Sequence, residues 1–334
     1  MYNSPYLRQN TSVRRVMTTV LVAMLPAIAV QTWLFGAALL VQIALASATA
    51  LACEALVLAL RGRPVAPALT DMSALVTAWL IAVCLPPLLP WWTTVLGTAF
   101  ALIIGKHLYG GLGQNPFNPA MLAYALLIVS FPALMSQWPG LSGVDFATQM
   151  DWVFGGARAL DGVTGATPLD ALRTGLTTGG DAAAIMRSTA FGHVAGAGWE
   201  WVALAWGAGG LLLLALRIIT WHIPVAFLLV MSLLSGIASL IDPAHYAGPA
   251  FHLLAGGTML GAFFIATDPV SGATTPRGKL IFAAGIALIA WLIRAFGAYP
   301  DGIAFAVLLM NICVPLIDMK TQPPVFGHKN GGAP

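Results

Sequence analysis

Hydrophobic positions in this chain gather into ten long runs, separated by short polar or proline- and glycine-bearing breaks. A helix that crosses a bilayer needs about 20 apolar residues. The first five runs extend from Val16 to Trp33, Ala37 to Leu60, Ser73 to Leu89, Trp92 to Leu108 and Pro119 to Met135. The second five extend from Trp199 to Leu216, Ile219 to Ile241, Ala250 to Ala266, Leu280 to Phe296 and Ile303 to Ile317. Three are short, which leaves a re-entrant course open for one of them. The pattern predicts an all-α polytopic membrane protein of about ten transmembrane helices. It divides into a first transmembrane half, residues 1–136; a polar insert, 137–198; a second transmembrane half, 199–318; and a tail, 319–334.

The two halves resemble each other. "SALVTAWLIAVCLPPLLPWW" from Ser73 and "GGTMLGAFFIATDPVSGATTP" from Gly256 are apolar runs that break at a proline turn. "GLGQNPFNPAMLAYALLIV" from Gly111 and "GAYPDGIAFAVLLMNICV" from Gly297 are glycine- and proline-bearing breaks followed by a last run. Runs three to five thus correspond to runs eight to ten. An offset of five is odd, so the two five-helix halves form an inverted repeat, an arrangement that places binding sites where the halves meet.

Composition strengthens the membrane assignment. The chain is 59% hydrophobic and 8% charged, where a soluble domain carries about 25% charged residues. The net charge of +3 is scattered and offers no footprint for nucleic acid. Cys53, Cys84 and Cys313 lie in apolar runs without CxxC spacing, which argues against a cysteine-ligated metal or cluster held by this chain alone. With the amino terminus in the cytoplasm, only Arg158, Arg173, Arg187 and Arg294 of the 15 Lys and Arg residues fall outside. Cationic residues favour cytoplasmic loops, so both termini are expected inside and the insert outside. Lys106 and Arg217, beside spans, are expected to snorkel.

Two similar phrases then fall on opposite sides. "DGVTGATPLD" from Asp161 lies in the insert, and "DPVSGATTPR" from Asp268 lies in an inward loop. Small residues leave the backbone uncovered beside Thr167, so an enzyme could present its hydroxyl for phosphoryl transfer. The same residues also favour an ordinary turn. In the "GQNPFNP" loop, Asn115 and Asn118 can both donate and accept hydrogen bonds, either to a ring edge or as helix caps. Ionisable residues in or beside spans are often functional; these are Glu54, Asp71, Lys106, His107, His222, His252 and Asp268. Asp71 and Asp268 adjoin the repeated runs and are the first candidates for an ion pathway.

The outward phrase resembles the flavinylation motif of a periplasmic flavin transferase, which moves FMN from FAD onto the final threonine of Asp-Gly-x-Ser/Thr-Gly-Ala-Thr. "KHLYGGLGQNPFNPAMLAYALLIVSFP" from Lys106 and "FFIATDPVSGATTPRGKLIF" from Phe263 resemble the RnfD/NqrB family, membrane subunits of ion-translocating electron-transport complexes. The resemblance implies covalent FMN on Thr167, with Asp161, Gly162, Thr164, Gly165 and Ala166 serving recognition by the transferase. Thr274 is disfavoured, because Pro269 stands where the motif has glycine. The resemblance further implies a non-covalent riboflavin near Asn115 and Asn118, and relay of electrons between ferredoxin and NAD coupled to Na+ or H+ transport. Partners would be flavin- and iron–sulfur-bearing subunits in a bacterial inner membrane. No dinucleotide-binding or cluster motif is present, so the chain is not catalytically complete alone and no catalytic residue is assigned. The competing reading is a small-solute channel or secondary transporter, which inverted repeats also suit but which has no use for a flavin-accepting threonine. A cofactor-free assembly scaffold is a third.

Overall fold

The computed structural model describes residues 12–141, 143–155, 164–188, 191–192, 194–299 and 301–322. All ten apolar runs are helical over most of their length, and the chain is a multi-pass all-α membrane protein. Among the described residues, five helices are long and apolar enough to cross a bilayer: α1 (Val13–Phe35), α2 (Ala38–Leu60), and three in the second half introduced below. Their outward faces are greasy. Leu240 is 86% and Ile241 79% exposed, as expected of surfaces that meet lipid or a neighbouring subunit.

The remaining runs are shortened or broken, each for a local reason. The third forms α3 (Ser73–Cys84) and stops before Leu89, because Pro86, Pro87 and Pro90 cannot donate backbone hydrogen bonds. The fourth begins as α4 (Trp91–Phe100) and passes into a π-helix, Ala101–His107. The fifth, α5 (Pro119–Ser130), starts where the Asn118 side chain accepts from the Met121 amide, with Pro119 in the first turn.

A two-stranded ribbon opens the insert: β1 (Trp138–Pro139) pairs antiparallel with β2 (Thr164–Gly165), Trp138 opposite Gly165. Next comes the amphipathic helix α6 (Pro168–Thr177). Its Leu169 and Leu172 pack with Phe191, Ala247, Phe251 and Ala255. This small core seats the insert on the second half.

The second half contains α7 (Trp199–Ala215) and the long helix α8 (His222–Ile241). The eighth run, expected as one span over 250–266, is broken. α9 (Pro249–Leu254) ends, Gly256 turns the backbone at φ +62°, and α10 (Thr258–Leu260) leads into a second π-helix, Gly261–Ile265. A Cβ on Gly256 would lie 2.5 Å from Asp301 Oδ2, so the turn needs glycine for space as well as for its backbone angle. The long helices α11 (Pro276–Phe296) and α12 (Ile303–Thr321) complete the fold.

Packing partners recur between the halves. α2 lies on α3 and α4, and α8 lies on α9 and α11; α1 meets α3, and α7 meets α10. Across the seam α1 packs on α7, and α5 on α12. Irregular backbone at membrane depth is tolerated only where it is buried in protein or lines a cavity, and both π-helices lie against this seam.

Candidate functional site

Two cavities occupy the seam. The larger, about 330 Å³, opens at the end carrying the insert. It is lined by Thr167, Trp138, Trp199 and Tyr299, and by Gln31 and Tyr124; Gln31 lies one turn further into α1 than Phe35, which packs on both tryptophans. Thr167 is the N-cap of α6, and its side-chain oxygen accepts from the Asp170 amide at 3.3 Å. The threonine is half-buried, while Gly165 and Ala166 beside it are exposed. Thr164 and Gly165 are held by the ribbon. Asp161 and Gly162, along with Arg158, lie outside the described residues.

One wall of this cavity is the broken eighth run. Asp301 Oδ2 accepts from the Gly257 amide at 2.8 Å, and Oδ1 faces Arg294 Nη2 at 3.1 Å. Arg294 also donates to the His252 carbonyl at 3.0 Å and to Thr258 Oγ1 at 3.0 Å. The pair therefore satisfies the backbone groups that the break leaves open. A lone arginine in the last turn of an apolar run, seven residues before an aspartate, is the signal that marks the clamp; sequence reasoning treated Arg294 only as an outward cation.

The smaller cavity, about 140 Å³, lies at the opposite end. It brings together Asn115, Asn118, Lys106 and Asp268 with Val16 and Met17 of α1. From Met17 to Gln31 along α1 is roughly 20 Å at 1.5 Å per residue, so the two phrases lie at opposite ends of the bundle. Both asparagines have structural bonds. Asn115 donates to the Phe117 carbonyl at 3.0 Å. Asn118 donates through Nδ2 to the Ile265 carbonyl at 3.4 Å, and its backbone amide donates to Asn311 Oδ1 at 3.1 Å. Asn311, buried on α12, was not singled out from sequence; it ties the halves together.

Asp268 accepts from Ser271 Oγ at 2.7 Å and from the Val270 amide at 3.2 Å. Withdrawal from water raises its pKa above the ordinary carboxylate value, against these hydrogen bonds, which lower it. Asp71 lines neither cavity; its carboxylate accepts from the Ser73 amide at 2.7 Å. In the second phrase, Thr274 Oγ1 donates to Asp318 Oδ2 at 2.8 Å, and its amide donates to Oδ1 at 3.0 Å. That threonine is anchored, and the phrase acts as a turn into α11.

Beside the smaller cavity lies a buried charge cluster. Lys106 Nζ sits 2.8 Å from both Glu54 carboxylate oxygens and 2.9 Å from Ser73 Oγ. His107 Nε2 is 3.6 Å from Glu54 Oε1. Lys106 is 3% exposed, so it does not snorkel as expected: its π-helix turns the side chain toward α2, where Glu54 supplies the counter-charge. Arg217, by contrast, is exposed in the turn after α7.

The residues around Thr167 fit an FMN attached through its phosphate. The hydroxyl stands at the N-terminus of a ten-residue helix, a favourable place for an anion. Aromatic side chains and a buried amide line the cavity. Asp170 and Asp301 oppose the phosphate charge, while Arg173, the nearest described cation on α6, is tied to the Ala298 carbonyl.

A family profile described as the NQR2, RnfD, RnfE family matches residues 1–327. The D-type subunit of the ion-translocating oxidoreductase complex from Escherichia fergusonii is 51% identical, over 98% of both chains. Its counterparts of the same name from Salmonella typhi and Salmonella typhimurium are likewise 51% identical over 98% of each chain. With this coverage, the chain belongs to the NQR2, RnfD, RnfE family.

Proposed function

We propose that this chain is the membrane-embedded D-type subunit of an ion-translocating oxidoreductase complex, and that it carries FMN as a phosphodiester on Thr167. The relatives' shared name supports the complex. The observation that carries the cofactor assignment is the position of Thr167. Its hydroxyl ends the flavinylation-like phrase, caps α6 and lines the larger cavity between the halves. In the attachment step the threonine oxygen forms a bond to the FMN phosphorus of FAD, the pyrophosphate bond breaks, and AMP leaves with the proton.

Bound there, the flavin supplies the redox chemistry, and the protein supplies position and surroundings. Tethering keeps the local concentration of the ring high near a partner. The α6 N-terminus faces the phosphate, the aromatic lining shelters the ring from water, and the Arg294–Asp301 clamp fixes the cavity wall. The insert faces the periplasm in this reading, where the transferase acts, and both termini are cytoplasmic. Flavin- and iron–sulfur-bearing subunits complete the reaction, with Na+ or H+ as the coupled ion. Asp268, at the smaller cavity, is the leading candidate for ion handling, with Asp71 second. Asn115 and Asn118 mark the place for a non-covalent riboflavin.

The test is co-expression with the flavin transferase, followed by ultraviolet in-gel fluorescence and mass spectrometry of the Thr167 peptide. FMN on that peptide is expected. Thr167→Ala should abolish the fluorescent band, and Thr274→Ala should leave it. An unmodified Thr167 peptide from an active complex refutes the reading.

A further inference from the structure

We propose that the Gln31 carboxamide, with the Tyr124 hydroxyl beside the same cavity, is the hydrogen-bonding floor that receives the pyrimidine edge of the flavin ring. This rests on the reading that Thr167 carries FMN.

The observation is an unpartnered amide. Gln31 lies on α1, is 5% exposed, and lines the larger cavity. Among the described residues its side chain has no hydrogen-bond partner. Two other buried glutamines are bonded through both ends of the amide. Gln42 donates to the Pro87 and Leu89 carbonyls at 3.1 and 2.7 Å and accepts from Thr94 Oγ1 at 2.6 Å. Gln149 accepts from the Ala38 amide at 2.8 Å and donates to the Val144 carbonyl at 2.7 Å. The amide is not sealed in: it opens onto the cavity, where a group held there can bond it. The open amide of Gln31 points to a ligand group.

The chemistry of that group follows from the amide. A carboxamide offers one acceptor beside two donors, and its complement is a ring edge with a carbonyl next to an N–H. Isoalloxazine presents this at its pyrimidine ring, while its benzenoid end is apolar. The cavity offers both kinds of surface. Trp138 and Trp199, whose ring centroids lie 5.0 Å apart, line it together with Thr167, which would hold the phosphate, and with the amide, one turn further into α1 than Phe35. Donation from Gln31 or Tyr124 to a flavin carbonyl favours the reduced, more electron-rich ring.

Gln31→Met, close in size but apolar, and Tyr124→Phe are to be prepared with the flavin transferase in the assembled complex. Mass spectrometry of the Thr167 peptide confirms attachment first. The midpoint potential of the attached FMN and the vibronic structure of its visible band are then read. In each variant the expected result is unchanged FMN stoichiometry, a potential shifted negative, and an altered visible band. The shift should correspond to about a fivefold loss of preference for the reduced form per net hydrogen bond. Potentials and spectra equal to wild type in both variants overturn the inference and leave the Thr167 assignment intact. Absence of FMN from the wild-type Thr167 peptide overturns both, and that failure is seen before any potential is measured.

Discussion

Thr167 has one observed role and one proposed role, and they can be separated. As N-cap it accepts a backbone hydrogen bond at the start of α6; as the proposed attachment point it needs a hydroxyl. Asparagine caps as well as threonine but cannot form the phosphoester. Thr167→Asn should therefore keep the insert as resistant to limited proteolysis as wild type while losing in-gel flavin fluorescence entirely. Thr167→Ala should lose both the flavin and about 1 kcal/mol of helix stability. The turn into α6 was legible because small residues and a capping hydroxyl are local properties. What the second phrase does was not legible, because Asp318, which anchors Thr274, lies 44 residues further along. Gln31 was invisible for a similar reason: a glutamine in an apolar run has no signature until its neighbours fail to bond it.

At the scale of elements, the breaks matter more than the spans. Proline and glycine announce where α3 stops and where the eighth run turns, so those interruptions are readable. The π-helices are not, because no local preference in "ALIIGKH" or "GAFFI" distinguishes a wider turn from an ordinary one. Their effect is to aim side chains, and the first aims Lys106 at Glu54. Removing one member of a buried pair leaves the other uncompensated, at about 3–5 kcal/mol. Glu54→Gln should lower stability by that order in denaturant unfolding in detergent, whereas Glu54→Leu combined with Lys106→Met should recover most of the loss. Equal loss in the single and double variants would show that the pair does not act as a unit. The seam has a similar hidden element in Asn311, whose bonds to the Asn118 amide and the Ser271 carbonyl join segments far apart in sequence.

For the whole molecule, hydropathy foretold the ten helical runs, and the charge distribution predicts that the two phrases face opposite compartments. The structure places them at opposite ends of α1. Single cysteines introduced at Ala166 and Pro269, in a background without native cysteines, should react with a membrane-impermeant thiol reagent from opposite faces of sealed vesicles. Reaction of both from one face would contradict the bundle as described. The number of uninterrupted spans was less legible, since length and hydropathy do not register a break satisfied by a distant Arg294. The Glu54–Lys106 contact has a consequence for biogenesis. Each residue alone would burden its own segment during insertion, since an unpaired charge opposes partition into lipid. Segments two and four are thus best released into lipid together, so the translocation machinery must retain the earlier hairpin until the later one emerges.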